Sequence, residues 1–147
     1  MSTRLISVDS HVRIEPERIK ANMPTKFQGA WDEAVALEHE QHVQELGGVD
    51  PKVFAAGFSH EAMTHPGYSD GAERLKAMDR DGVTAEILYS EVSAFRHYPL
   101  MREGWREASE GFNRVMSDFA AVRIHSNTIS IFSSRPIISR KRCTDGD

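Results

Sequence analysis

The run from Asp70 to Tyr89 constrains the fold more than any other part of this chain. Asp70 is a helix-capping residue type, and Glu73, Leu75, Met78 and Asp79 follow it at helical spacing. Gly82 stops that helix. Val83 to Tyr89 comes next, with Ile87 and Leu88 at its centre, and reads as a strand. A helix, a glycine and an apolar strand in that order form the αβ half of a βαβ unit. Such crossovers are how parallel strands are joined. The expected fold class is therefore α/β, built on a parallel sheet.

The rest of the chain is read around that unit. Leu5-Ile6-Ser7-Val8 is a short apolar run ended by Asp9-Ser10-His11, the pattern of a buried strand in a parallel sheet. Pro16 closes it. Glu17 to Met23 fits a brief helical turn before Pro24. Gly29 to Leu46 reads as a longer helix, with Trp31, Ala34, Val35, Ala36 and Leu37 clustered among acidic residues. Gly47-Gly48 and Asp50-Pro51 end it. Lys52 to Ser69 reads as an irregular excursion, with one short helix at Pro51 to Ala56. Downstream, Tyr98 to Val122 reads as a single helix. Its stripe is Trp105, Ala108, Phe112, Val115, Met116 and Phe119. Ile124 to Phe132 alternates loosely and is compatible with one more strand. A Ser-rich basic tail follows, with Arg140-Lys141-Arg142 near its end.

Bulk properties narrow the function by exclusion. Net charge is -4, which gives no general attraction to nucleic acid or to an anionic membrane. No apolar run approaches the roughly 20 residues that span a bilayer, and the first residues lack a signal peptide's apolar core. Cys143 is the single cysteine, so no internal disulfide framework exists. The expectation is a soluble cytoplasmic protein with neither nucleic acid nor membrane as partner.

Few residues carry recognisable chemistry. Asp9 and His11 stand two apart at the end of the first strand, which puts both side chains on one face. A carboxylate and an imidazole suit Zn²⁺ or a similar divalent ion. Taken alone, the pair fits a turn cap with an exposed His better. Glu15 precedes Pro16, and Glu91 follows the second strand. Both are candidates for the rim of a pocket. His39 and His42 share a helix face in a Glu- and Gln-rich stretch and read as solvated. His60, His65 and His97 have no ligand spacing, although His60 and His65 lie where they could line a mouth. Asp79, Asp81 and Gly82 read as turn punctuation. The sequence holds no Ser-His-Asp constellation, phosphate-cradling Gly loop or Cys cluster.

Three stretches resemble one family. Ile6-Ser7-Val8-Asp9-Ser10-His11-Val12, with Glu15-Pro16, resembles the opening of the amidohydrolase-related family that includes aminocarboxymuconate-semialdehyde decarboxylase and the resorcylate decarboxylases. Arg74-Leu75-Lys76-Ala77-Met78-Asp79-Arg80-Asp81-Gly82-Val83-Thr84-Ala85-Glu86-Ile87-Leu88-Tyr89 is similar to that family's longer signature. Asn113 to Phe119 resembles the helix that follows it. The resemblance covers roughly the first 120 residues. It implies a (β/α)₈ TIM barrel with a divalent metal, Zn or Mn, at the C-terminal mouth. It implies hydrolysis, or non-oxidative decarboxylation of a small organic acid. Asp9 and His11 stand at the positions of the first strand's two metal ligands, with Asp where the family has His or Glu.

The resemblance also sets the organisation. Residues 1–122 correspond to the N-terminal portion of the barrel, with a variable insertion over about 24–69. Residues 123–147 hold the further strand and the basic tail. A full barrel takes about 250 residues, and the family's later His and Asp ligands fall beyond residue 147. The chain is thus expected to be an incomplete barrel with little or no turnover alone, and metal binding by it is expected to be weak. An uncovered sheet edge is expected to drive self-association. The alternative is a small non-enzymatic α/β interaction module derived from the barrel's first units.

Overall fold

The computed structural model describes residues 5–50, 53, 64–89, 94–122 and 128–131. Its sheet has three parallel strands in the order β1 (Leu5–His11), β2 (Val83–Tyr89) and β3 (Thr128–Ile131). Among the described residues, four α-helices accompany it: α1 (Pro16–Ala21), α2 (Thr25–Glu45), α3 (Gly71–Asp81) and α4 (Trp105–Ala121). The protein is a mixed α/β fold on an open parallel sheet. β2 has the span expected from the sequence, and β3 lies inside the loosely alternating stretch. No helix of the described residues is long and apolar enough to cross a membrane.

Local chemistry explains where the elements start and stop. The Asp70 carboxylate accepts from the backbone N–H groups of Ala72 (2.8 Å) and Glu73 (2.9 Å), so two orphan donors of α3 are satisfied. Gly82 ends α3 with φ 71°, a left-handed backbone that glycine adopts without strain. α2 ends on Gly47 and Gly48. The N–H of Gly48 donates to Val43 O and that of Gly47 to Gln44 O, the paired bonds of a Schellman close.

Three boundaries and burials differ from expectation. α2 starts at Thr25, four residues before Gly29, because Pro24 is its N-cap and fixes the entry; Gly29 is an interior residue. α4 starts at Trp105, not Tyr98. Tyr98–Leu100 is a short 3-10 turn, and Gly104 takes φ 75° immediately before α4, so the chain changes direction there. Third, β1 is not a buried strand. Leu5, Ile6 and Val8 are 50%, 62% and 61% exposed. Among the described residues β1 pairs only with β2; the helices cover one face of the sheet, and a register shift between Leu5 and Ile6 puts both of them, with Val8, on the other face, where they meet solvent.

The core lies between the sheet and the helices. Leu75 and Met78 of α3, Phe112, Val115, Met116 and Phe119 of α4, Leu88 of β2 and Val12 after β1 are all buried together. Full burial of each large side chain contributes about 1.5–3 kcal/mol. Trp31 anchors α2. Its Nε1 donates to Pro16 O at 3.2 Å, and its ring meets that of His97 at 5.0 Å. The close approach of α3 to α4 needs a glycine: a Cβ on Gly71 would collide with the carbonyl oxygen of Phe119. The expected short helix at 51–56, most of the irregular excursion, and the tail beyond residue 131 lie outside the described residues.

Candidate functional site

Strand β1 delivers Asp9 and His11 at its C-terminal end. Asp9 Oδ1 stands 3.5 Å from His11 Nε2. Asp9 is largely exposed, and His11 is about a third exposed. The His11 ring leans on Tyr89 with centroids 6.3 Å apart, and His11 is registered with Tyr89 across the sheet. Registered partners in a parallel pair point to the same face, so Asp9, His11 and Tyr89 share one side.

The opposite face of the same strands is buried and polar. Glu86 of β2 lies under α3, and its Oε2 accepts from Arg74 Nε at 2.6 Å. The two side chains are only 8% and 14% exposed. Ser10 Oγ donates to Glu86 Oε1 at 3.5 Å and stands 2.7 Å from Ser7 Oγ. The Arg74 guanidinium also lies over the Tyr68 ring, 5.9 Å from its centroid. This network was not singled out from the sequence. The available signal was a Glu inside an apolar strand, twelve residues after an Arg on the preceding helix.

The donor set at Asp9 and His11 suits a divalent cation. Two ligands about 2.0–2.2 Å from a tetrahedral zinc stand about 3.4 Å from one another, close to the 3.5 Å found here. Among the described residues, no three His, Cys, Asp or Glu side chains gather into a metal-holding cluster. Glu15 therefore does not complete the pair. It is exposed at the N-cap of α1, where its carbonyl accepts from Arg18 N at 3.0 Å. Glu91 lies outside the described residues, as do His60 and His125.

The other histidines go elsewhere. His65 Nδ1 accepts from Gly67 N at 3.0 Å and caps the 3-10 turn Pro66–Tyr68. His42 sits near Glu38 (3.7 Å) and Arg96 (3.5 Å) on the exposed side of α2, and His39 is exposed. His97 is buried against Trp31. Next to it, burial pushes the Tyr98 phenol well above its ordinary value, with nearby Ser109 a weaker opposing influence.

The structure thus defines an α/β protein with a carboxylate–imidazole pair at the C-terminal end of its first parallel strand. No family model, curated protein or solved structure matches the chain.

Proposed function

We propose that this chain forms the first β/α units of a metal-dependent (β/α)₈-barrel enzyme of the amidohydrolase-related kind. Its chemistry would be hydrolysis or non-oxidative decarboxylation of a small organic acid. The observation that carries the reading is the Asp9–His11 pair, 3.5 Å apart at the C-terminal end of a parallel strand. Barrel enzymes gather their reacting groups at that end of the strands. The parallel order β1-β2-β3, with α3 preceding β2 and α4 preceding β3, agrees with it. A bound Zn²⁺ or Mn²⁺ supplies Lewis acidity toward a carboxylate or carbonyl and, in a hydrolase, an acidified water. Asp9 and His11 would hold one side of that ion, and Tyr89 flanks His11.

The test is a titration of Mn²⁺ into the full chain, followed through the histidine ring resonances by NMR. Paramagnetic broadening is expected at His11 before the other histidines, and Asp9→Asn should weaken it. Broadening led by another histidine, or none at His11, overturns the reading.

The exposed Leu5, Ile6 and Val8 favour a second reading, in which β1 pairs with β1 of another copy and the chain serves as an interaction module. Sedimentation across a hundredfold range of protein concentration decides it. A monomer throughout sinks that second reading.

A further inference from the structure

We infer that a buried chain of polar side chains, Arg74–Glu86–Ser10–Ser7, pins a bulge in β1 and thereby turns Asp9 and His11 onto the open face of the sheet. The functional consequence rests on the metal-site reading above; the bulge itself does not. Ser7 is registered with Glu86 and Ser10 with Leu88. Three steps along β1 therefore match two steps along β2, and Val8 with Asp9 shares the place opposite Ile87. One extra residue against a partner strand is a β-bulge, and it re-aims every side chain beyond it.

The direction of that change follows from the pleat. Glu86 and Leu88 are buried on the helix side, so Ser7 and Ser10 both face the helices. With unbroken alternation from Ser7, Asp9 would fall opposite Leu88, and His11 would follow it to the covered side. The bulge places Ser10 there instead. Asp9 and His11 then emerge beside Tyr89.

The polar chain spans the irregularity. Ser10 Oγ gives its proton to Glu86 and so accepts from Ser7 Oγ, 2.7 Å away. Glu86 is fixed in turn by Arg74 of α3 at 2.6 Å. Ser10 thus reaches the carboxylate held by the helix layer through one long hydrogen bond, and Ser7 joins it only through Ser10. A one-residue slip of β1 replaces Ser10 with Asp9 beside Glu86 and sets two carboxylates together, which like-charge repulsion and desolvation oppose. Ser7, Ser10, Glu86 and Arg74 are positioning residues for Asp9 and His11.

Ser10→Ala tests this in the full chain, because it cuts the polar chain but leaves the Arg74–Glu86 pair intact. Two signals are read by NMR: nuclear Overhauser contacts between the His11 and Tyr89 rings, and the Mn²⁺ concentration that broadens His11. The variant is expected to keep the wild-type helical circular dichroism and α3 amide resonances. It should lose the ring–ring contacts and need about 10- to 100-fold more Mn²⁺, the usual loss when a ligand's supporting partner is removed. Ser10→Thr should restore both signals. Unchanged ring contacts and an unchanged Mn²⁺ response in Ser10→Ala overturn the inference. Lost ring contacts without any wild-type Mn²⁺ response uphold the bulge and refute the metal reading. Should Ser10→Ala fail to fold, Ser7→Ala removes only the outer link and reports on the same two signals.

Discussion

Replacing Arg74 with Met tests whether the Arg74–Glu86 pair is as buried and as dependent on itself as its geometry implies. The Nε–Oε2 separation is 2.6 Å, with side chains 14% and 8% exposed. Met keeps an unbranched apolar stem of similar length but removes the guanidinium, and with it the contact over the Tyr68 ring. Glu86 is then left with one long bond, from Ser10 at 3.5 Å. Removing one partner of a buried pair costs about 3–5 kcal/mol, because the remaining charge has lost its compensation. That is a large part of the about 5–15 kcal/mol that holds a typical domain together. At about 2–4 °C per kcal/mol for a domain of this size, the midpoint should fall by about 6–20 °C. Urea and thermal unfolding at neutral pH, followed by circular dichroism, give the number. The double variant Arg74→Met, Glu86→Leu should recover most of the loss, since apolar side chains of similar volume replace buried pairs at little or no cost. A loss under about 1 kcal/mol for Arg74→Met would match an exposed pair and rule out a buried, mutually dependent one. So would a double variant as unstable as the two singles combined.

Three further outcomes are expected. Gly71→Ala should lose about 1–3 kcal/mol by urea titration, because its Cβ meets the Phe119 carbonyl where α3 approaches α4; wild-type stability would show that this approach is looser. Burial raises the folded-state pKa of Tyr98 above its ordinary 10.0, so the stability tied to the neutral phenol is intact below about pH 10 and is lost as pH rises beyond it. Urea midpoints should therefore drop more steeply above about pH 10 for wild type than for Tyr98→Phe, and parallel curves would refute the burial argument. Sub-millimolar Zn²⁺ should raise the melting temperature by no more than about a degree: a two-residue site is not expected to bind below that concentration, and at half saturation it adds RT ln 2, about 0.4 kcal/mol. A larger rise would reveal ligands beyond Asp9 and His11.

The local punctuation of the fold could be read from the residues alone. Asp70 capping α3, Gly82 closing it and Val83–Tyr89 following as a strand could all be read because caps, glycine stops and apolar runs act over a few residues. The buried stripe of α4 was legible for the same reason, as a repeat every three or four residues. Pro24 and Gly104 were harder. Whether a proline opens a helix or a glycine breaks one depends on the path of the flanking chain. The pairing of Asp9 with His11 on one face also followed from the two-residue period of a strand. Which face that is did not. The register of β1 against β2 decided it, through an extra residue that no local pattern announces. The same holds for the exposure of Leu5, Ile6 and Val8 and for the Arg74–Glu86 contact. Each depends on what packs across the sheet, and a residue's neighbours in space are fixed only when the helices and strands have come together.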